Sequence, residues 1–202
     1  VYGIMGWPVA HSQGPRLHNA GFAAAGVDAR YVYLPVAPGY EPLKATLGAM
    51  LDDSGLDFGG ASVTLPHKED LARLLREWGA DLDAFAERAG AVNTVVVERD
   101  GRVRGLNTDA AASARLMREA LARRGVAMSS ARVAVIGAGG VASAVLAACV
   151  SEAASVTVFN RTRDRAAALV ERFGAGDRVR VGSGEGTPEE FDLVVQATSV
   201  GM

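Results

Sequence analysis

Three groups of residues in this 202-residue chain have types and spacings that suggest chemistry. The first is a lysine in the stretch "SVTLPHKED", residues 62–70. An apolar run from Ala61 to Leu65 predicts a short buried strand, and Pro66 stops it and can open a helix. Leu71, Leu74 and Leu75 recur at helical spacing, so Lys68 falls in the first turn. Unpaired N–H groups already make that end positive, and a lysine there does not serve helix stability. The second is "VIGAGGVA", residues 135–142, in which Gly137, Gly139 and Ala142 form G-x-G-x-x-A between a strand and a helix. Gly137 allows the tight turn, Gly139 lets the backbone approach a pyrophosphate, and Ala142 lets helix and strand pack closely. The helix start supplies N–H groups for phosphates. The third is "FNRTRDR", residues 159–165, at the end of the next strand. An NAD site usually places a carboxylate there for the ribose hydroxyls. This chain has Asn160, Arg161 and Thr162, with Arg165 nearby. The two arginines can pair with a 2′-phosphate through charge-assisted bonds, which favours NADP over NAD. Read without a ligand, the same features are a glycine-rich turn and solvated charges.

These residues need a frame. The first half predicts strands at 1–6, 31–36 and 61–65 and helices at 15–25, 42–51 and 82–88, besides the Lys68 helix. Leu17, Ala20 and Ala24 form the expected inner face of the first helix. Residues 94–98 and 102–106 flank Asp100-Gly101, which predicts a hairpin. The second half predicts a long helix over 109–124, strands at 133–136, 156–159 and 193–196, and helices at 141–150 and 164–173. Alternating strands and helices imply α/β architecture with parallel sheets covered by helices. A boundary near Thr108 divides the chain into 1–108 and 109–202. Thr198 and Ser199 follow the last strand, at the sheet edge where ligands bind. They either line a nicotinamide pocket or simply turn the chain.

Composition narrows the class. Apolar residues make up 49% and the net charge is −2, so a core can form and neither a nucleic-acid surface nor a membrane patch is expected. The single cysteine, Cys149, excludes an internal disulfide and fits a reducing cytoplasm. No signal peptide or membrane span stands out, and no metal site is expected. The chain starts inside a predicted strand at Val1 and stops at Gly201-Met202, so a longer protein is expected.

Three further polar clusters remain: His11-Ser12 with His18-Asn19, Thr64 with Lys68, and Asn93-Thr94 with Asn107-Thr108-Asp109. Helix capping by Ser12, a turn at Asn93 and a favourable acid at Asp109 account for several of them singly, but not for Lys68. With "GWPVAHSQGPRLHN", "SVTLPHKE", "GAVNTVV", "GLNTDAA", "VIGAGGVASA", "FNRT" and "ATSVGM" in this order, the chain resembles the shikimate dehydrogenase family over nearly its whole length. The resemblance implies an N-terminal substrate domain, a Rossmann NADP domain and a cleft between them. It implies reduction of 3-dehydroshikimate to shikimate with NADPH, a step of aromatic amino acid biosynthesis. It makes Lys68 and Asp109 the catalytic pair and places Ser12, Gly14, Thr64, Asn93 and Asp109 at substrate positions. Gly137, Ala138, Gly139, Gly140, Val141, Ala142, Asn160, Arg161, Thr162, Arg165, Thr198 and Ser199 fall at cofactor positions.

The resemblance also gives Lys68 a task. Hydride arriving at a ketone leaves an alkoxide that must be protonated, and a cation held where its charge is disfavoured suits a proton donor. Two departures alter the expectation. Many members carry a second serine where this chain has Gly14, so one donor to the substrate carboxylate is missing and quinate becomes the alternative substrate. The family's C-terminal segment, which completes the nicotinamide pocket, is missing here. Some relatives carry a dehydroquinate dehydratase domain upstream, for which the start at Val1 leaves room. A regulator that binds NADP without turnover is the alternative of another class, and the Lys68/Asp109 pair speaks against it.

Overall fold

The computed structural model describes residues 1–174, 176–183 and 190–198. The chain divides into two units, Val1–Asn107 and Thr108–Met202. In the first unit the elements run β1 (Tyr2–Gly6), α1 (Gly14–Ala25), β2 (Tyr31–Pro35), α2 (Tyr40–Asp52), β3 (Gly60–Val63) and α3 (Lys68–Glu77). They continue with β4 (Asp81–Leu82), α4 (Ala84–Ala89), β5 (Thr94–Val97) and β6 (Val103–Leu106). The six-stranded sheet has the order β2-β1-β3-β5-β6-β4. Its first three strands are parallel, as expected, whereas the β5–β6 hairpin enters antiparallel beside β3. The two-residue strand β4 was not predicted, because so short a stretch carries no period of its own.

Side chains alternate across this sheet. Met5, Ala61, Val63 and Val95 point into a core completed by Leu43 and Leu47 of α2 and by Leu71, Leu74 and Leu75 of α3. The three α3 leucines are fully buried, and each such side chain contributes roughly 1.5–3 kcal/mol. This anchors the helix that Lys68 opens. Helix α3 begins later than the proline rule suggests. The Leu65–Pro66 peptide is cis, and the chain turns through Thr64–His67 with the His67 N–H donating to the Thr64 carbonyl at 3.1 Å. Pro66 therefore belongs to the turn, and Lys68 is the first helical residue.

Helix α1 overturns an expectation about its inner face. Leu17 is 71% exposed, and Ala20 and Ala24 are exposed as well. The helix instead meets the sheet through Pro15, His18, Asn19 and Phe22. His18 stacks on Tyr31 with centroids 4.2 Å apart, and Phe22 lies 5.7 Å from the Tyr2 ring. Asn19 exchanges two 2.9 Å hydrogen bonds with the Tyr31 backbone. Aromatic stacking and a paired amide decide the orientation that aliphatic spacing assigned otherwise.

In the second unit, α5 (Thr108–Ala122) precedes β7 (Arg132–Ile136), α6 (Gly140–Cys149), β8 (Ser155–Phe159), α7 (Arg163–Phe173), β9 (Val179–Val181) and β10 (Leu193–Gln196). The sheet order is β10-β7-β8-β9, with every pair parallel. This is the doubly wound pattern, whose ligand edge lies at the carboxyl ends of β7, β8 and β10. Helix α6 is buried along most of its length, and burial pushes the Cys149 thiol up to about 12. Among the described residues no helix is long and apolar enough to cross a membrane, and no cluster of metal-ligating side chains is present.

Candidate active site

In the first unit the polar residues gather where parallel strands end. Ser12 lies on the loop after β1, Thr64 directly after β3, Lys68 at the start of α3 and Asn93 just before β5. Backbone bonds tie these segments together. The Thr64 N–H donates to the Met5 carbonyl at 2.9 Å, and the Trp7 N–H to that of Leu65 at 3.0 Å. Val63 donates to the Asn93 carbonyl at 2.7 Å and Val92 to that of Lys68 at 2.9 Å. Gly6 suits this close approach, since a Cβ there would lie 2.3 Å from Thr64 Cγ2 and push that methyl aside.

The side chains are held as donors and acceptors with defined sense. The Gly14 N–H donates to Ser12 Oγ at 3.1 Å, which leaves the hydroxyl proton to point elsewhere. Tyr33 Oη donates to the Ser12 carbonyl at 2.9 Å and fixes the loop from β2. Thr94 Oγ1 donates to Oδ1 of the buried Asn93 at 3.0 Å. No side chain caps α3, and Lys68 is half-buried at its start. Gly14 is the first residue of α1 rather than part of the loop before it. Its backbone does not call for glycine, because its φ is not positive. A Cβ would approach Ser12 Oγ to 3.2 Å and Tyr31 Cε1 to 3.4 Å. Asp109 stands in the first turn of α5, in the second unit. The nearby Asn107 belongs to the first unit and is buried, its amide donating to the Ala91 carbonyl at 2.9 Å.

In the second unit the cofactor positions surround the carboxyl edge of the sheet. A pocket of about 420 Å³ is lined by Gly137, Asn160, Arg161, Thr162, Arg165 and Thr198, together with Ile136, Phe159 and Gln196. The last three were missed. They are the final residues of β7, β8 and β10, so strand ends after a glycine motif were the available signal. Gly137 has φ +120°, and a Cβ on it would lie 2.8 Å from the Ala197 carbonyl oxygen. Gly139 and Gly140 face open space, with nothing within 4 Å of a built Cβ. Ala138 is half-buried, Val141 is exposed in the first turn of α6, and Ala142 is buried against the sheet. The Asn160 amide donates to the Thr162 carbonyl at 2.8 Å and shapes the loop that carries Arg161. Thr198 donates to Gln196 Oε1 through both its N–H (3.1 Å) and its Oγ1 (2.9 Å). Ser199 lies outside the described residues.

These residues fit NADP. The glycine turn meets its own chain on one side and open space on the other. The start of α6 carries no side-chain cap, and two arginines, with no carboxylate beside them, are among the residues that line the pocket. When bound there, the nicotinamide supplies the hydride.

The family model of the shikimate dehydrogenase substrate binding domain matches residues 4–95, and that of shikimate / quinate 5-dehydrogenase matches residues 119–201. A shikimate dehydrogenase (NADP(+)) of Rubrobacter xylanophilus is 42% identical over all of this chain and 68% of its own length. A crystal structure of shikimate dehydrogenase in complex with NADP+ superposes with a TM-score of 0.81 at 31% identity, over 100% of this chain and 67% of the other. Quinate dehydrogenase of Corynebacterium glutamicum in complex with NAD gives a TM-score of 0.79 at 30% identity, over 98% and 70%. Both units match in order and along the whole chain, and the strand-end polar residues and the glycine turn occupy the parts those matches cover: this chain belongs to the shikimate dehydrogenase family.

Proposed function

We propose that this chain catalyses the NADP-dependent interconversion of 3-dehydroshikimate and shikimate. The observation that carries this reading is the lysine that opens α3 on the loop cluster of Ser12, Thr64 and Asn93, in a chain 42% identical to a shikimate dehydrogenase (NADP(+)). The unit Val1–Asn107 is the substrate domain and Thr108–Met202 the cofactor domain. Ser12, Thr64 and Asn93 orient the ring through its hydroxyls and carboxylate. In the reducing direction hydride adds to the carbonyl carbon, the C=O π pair moves to oxygen, and Lys68 gives that oxygen a proton. Asp109 is the second member of the proton relay. Gly137, Gly139 and Gly140 with the start of α6 hold the pyrophosphate, and Arg161 and Arg165 hold the 2′-phosphate. The enzyme works in the cytoplasm, and a dehydroquinate dehydratase domain upstream is compatible with this role.

A second reading, a dual quinate/shikimate dehydrogenase, is favoured by Gly14. Its backbone does not require glycine, and the missing hydroxyl takes away one donor to the substrate carboxylate. Quinate carries an extra hydroxyl on a tetrahedral carbon beside the carboxylate, and glycine leaves it more room than serine. Initial rates of the full-length protein on shikimate and quinate, each with NADP and with NAD, test both readings. Shikimate with NADP should be the fastest pair. No oxidation of either acid would refute the assignment, and shikimate turnover without quinate turnover would refute the second reading.

A further inference from the structure

We infer that His67 is a positioning residue for Lys68, tying the start of α3 to the carboxyl end of β2. His67 is completely buried, and its Nε2 lies 2.9 Å from the Val36 carbonyl oxygen. A carbonyl only accepts, so Nε2 carries a proton and donates it to Val36. Nδ1 is the buried side-chain nitrogen left without a hydrogen-bond partner among the described residues. An orphaned buried polar atom costs free energy and asks for a reason.

Two ordinary reasons fail. The residue occupies the N-cap of α3, where serine, threonine, aspartate or asparagine would bond the first turn, yet its side chain makes no cap bond. A phenylalanine would fill similar volume without an orphaned nitrogen. What the imidazole supplies is the bond to Val36, a residue 31 positions away. Val36 is itself anchored, its N–H donating to the Gly6 carbonyl at 3.2 Å. On the chain side, His67 N–H is held by the Thr64 carbonyl at 3.1 Å, and the Lys68 carbonyl by Val92 at 2.9 Å. Main-chain bonds thus fix the flanks of this corner against β1 and the segment that enters β5, and the ring adds the tie to the residue that follows β2. Lys68 is the next residue along, so a slack corner displaces the group that must meet the substrate oxygen.

The inference rests on the reading of Lys68 as the proton donor, and the test separates the two. Steady-state kinetics on shikimate and NADP are measured for the full chain with His67→Gln, His67→Asn and His67→Phe, alone and with Lys68→Ala. Glutamine reaches Val36 with an amide N–H, asparagine is too short, and phenylalanine fills the space without a donor. Because misplacement by about 1 Å can cost a hundredfold, His67→Asn and His67→Phe should lower kcat by roughly tenfold or more with little change in KM. His67→Gln should restore most of kcat, and none of the three should lower it further beside Lys68→Ala. Equal kcat for Gln, Asn and Phe would overturn the inference, as would a loss that persists in full beside Lys68→Ala. If either Asn or Phe fails to fold, the other is compared with Gln by the same criterion. Near-normal kcat in Lys68→Ala alone would instead remove Lys68 as the donor, and the positioning role with it.

Discussion

Gly137 and Gly139 stand two residues apart in one turn, yet the structure gives them opposite reasons to be glycine. At Gly137 the φ of +120° and a built Cβ 2.8 Å from the Ala197 carbonyl oxygen both oppose any side chain. Holding an L-residue in such a region costs about 1–3 kcal/mol before the clash is relieved. Since 1 kcal/mol moves the Tm of a chain of this length by about 2–4 °C, Gly137→Ala should lower Tm by at least about 2 °C. Gly139 has φ −102° and ψ −169°, an extended backbone open to any residue, and nothing lies within 4 Å of its built Cβ. Alanine there loses some capping preference and restricts the unfolded chain, two opposing effects that leave stability within about 1 kcal/mol. Its methyl would stand where the pyrophosphate must approach. Losing one charge-assisted bond, about 1.5–3 kcal/mol, weakens NADP roughly tenfold to 150-fold. Thermal unfolding without ligand and NADP titration by calorimetry read the two effects separately. The reasoning is refuted if Gly139→Ala binds NADP normally while folded, or if it loses as much Tm as Gly137→Ala.

Three further outcomes are expected. Lys68→Ala and Asp109→Asn should each lower kcat by roughly a hundredfold or more, the scale of a general acid–base group. The double variant should be little worse than either, and near-normal kcat in both single variants would dismiss the pair. Gly14→Ser should raise shikimate kcat/KM and depress quinate turnover, because the added hydroxyl restores a carboxylate donor and takes space; an unchanged quinate-to-shikimate ratio would remove position 14 from specificity. Cys149 is buried with its thiol pushed up to about 12, so it should react with a disulfide reagent at neutral pH only as fast as the protein opens. Rapid labelling of the native chain would contradict that burial.

The features legible in the sequence are local ones. The G-x-G-x-x-A turn, the arginines after β8 and the hairpin at Asp100-Gly101 are each written in a few consecutive residues whose backbone preferences decide the outcome. The leucines of α3 likewise declare their helix and its buried face. Strands β4 and β9 escaped, because two and three residues show no period and form only where a neighbour offers a partner edge.

Other features depend on which strands lie side by side, and no local pattern contains that information. Tyr31 beside α1 drew His18 into a stack and Asn19 into a paired hydrogen bond, and left Leu17 outside. The pairing of β1 with β3 brought Gly6 against Thr64, so that a side chain at position 6 would have to displace the Thr64 methyl. The lysine itself was conspicuous in the sequence as a charge at the wrong end of a helix. What fixes the corner it sits on, the imidazole of His67 reaching the Val36 carbonyl, exists only once β2 and α3 have packed against the same sheet. Sequence neighbours set backbone preference, whereas a hydrogen bond between distant residues is set by strand order and register.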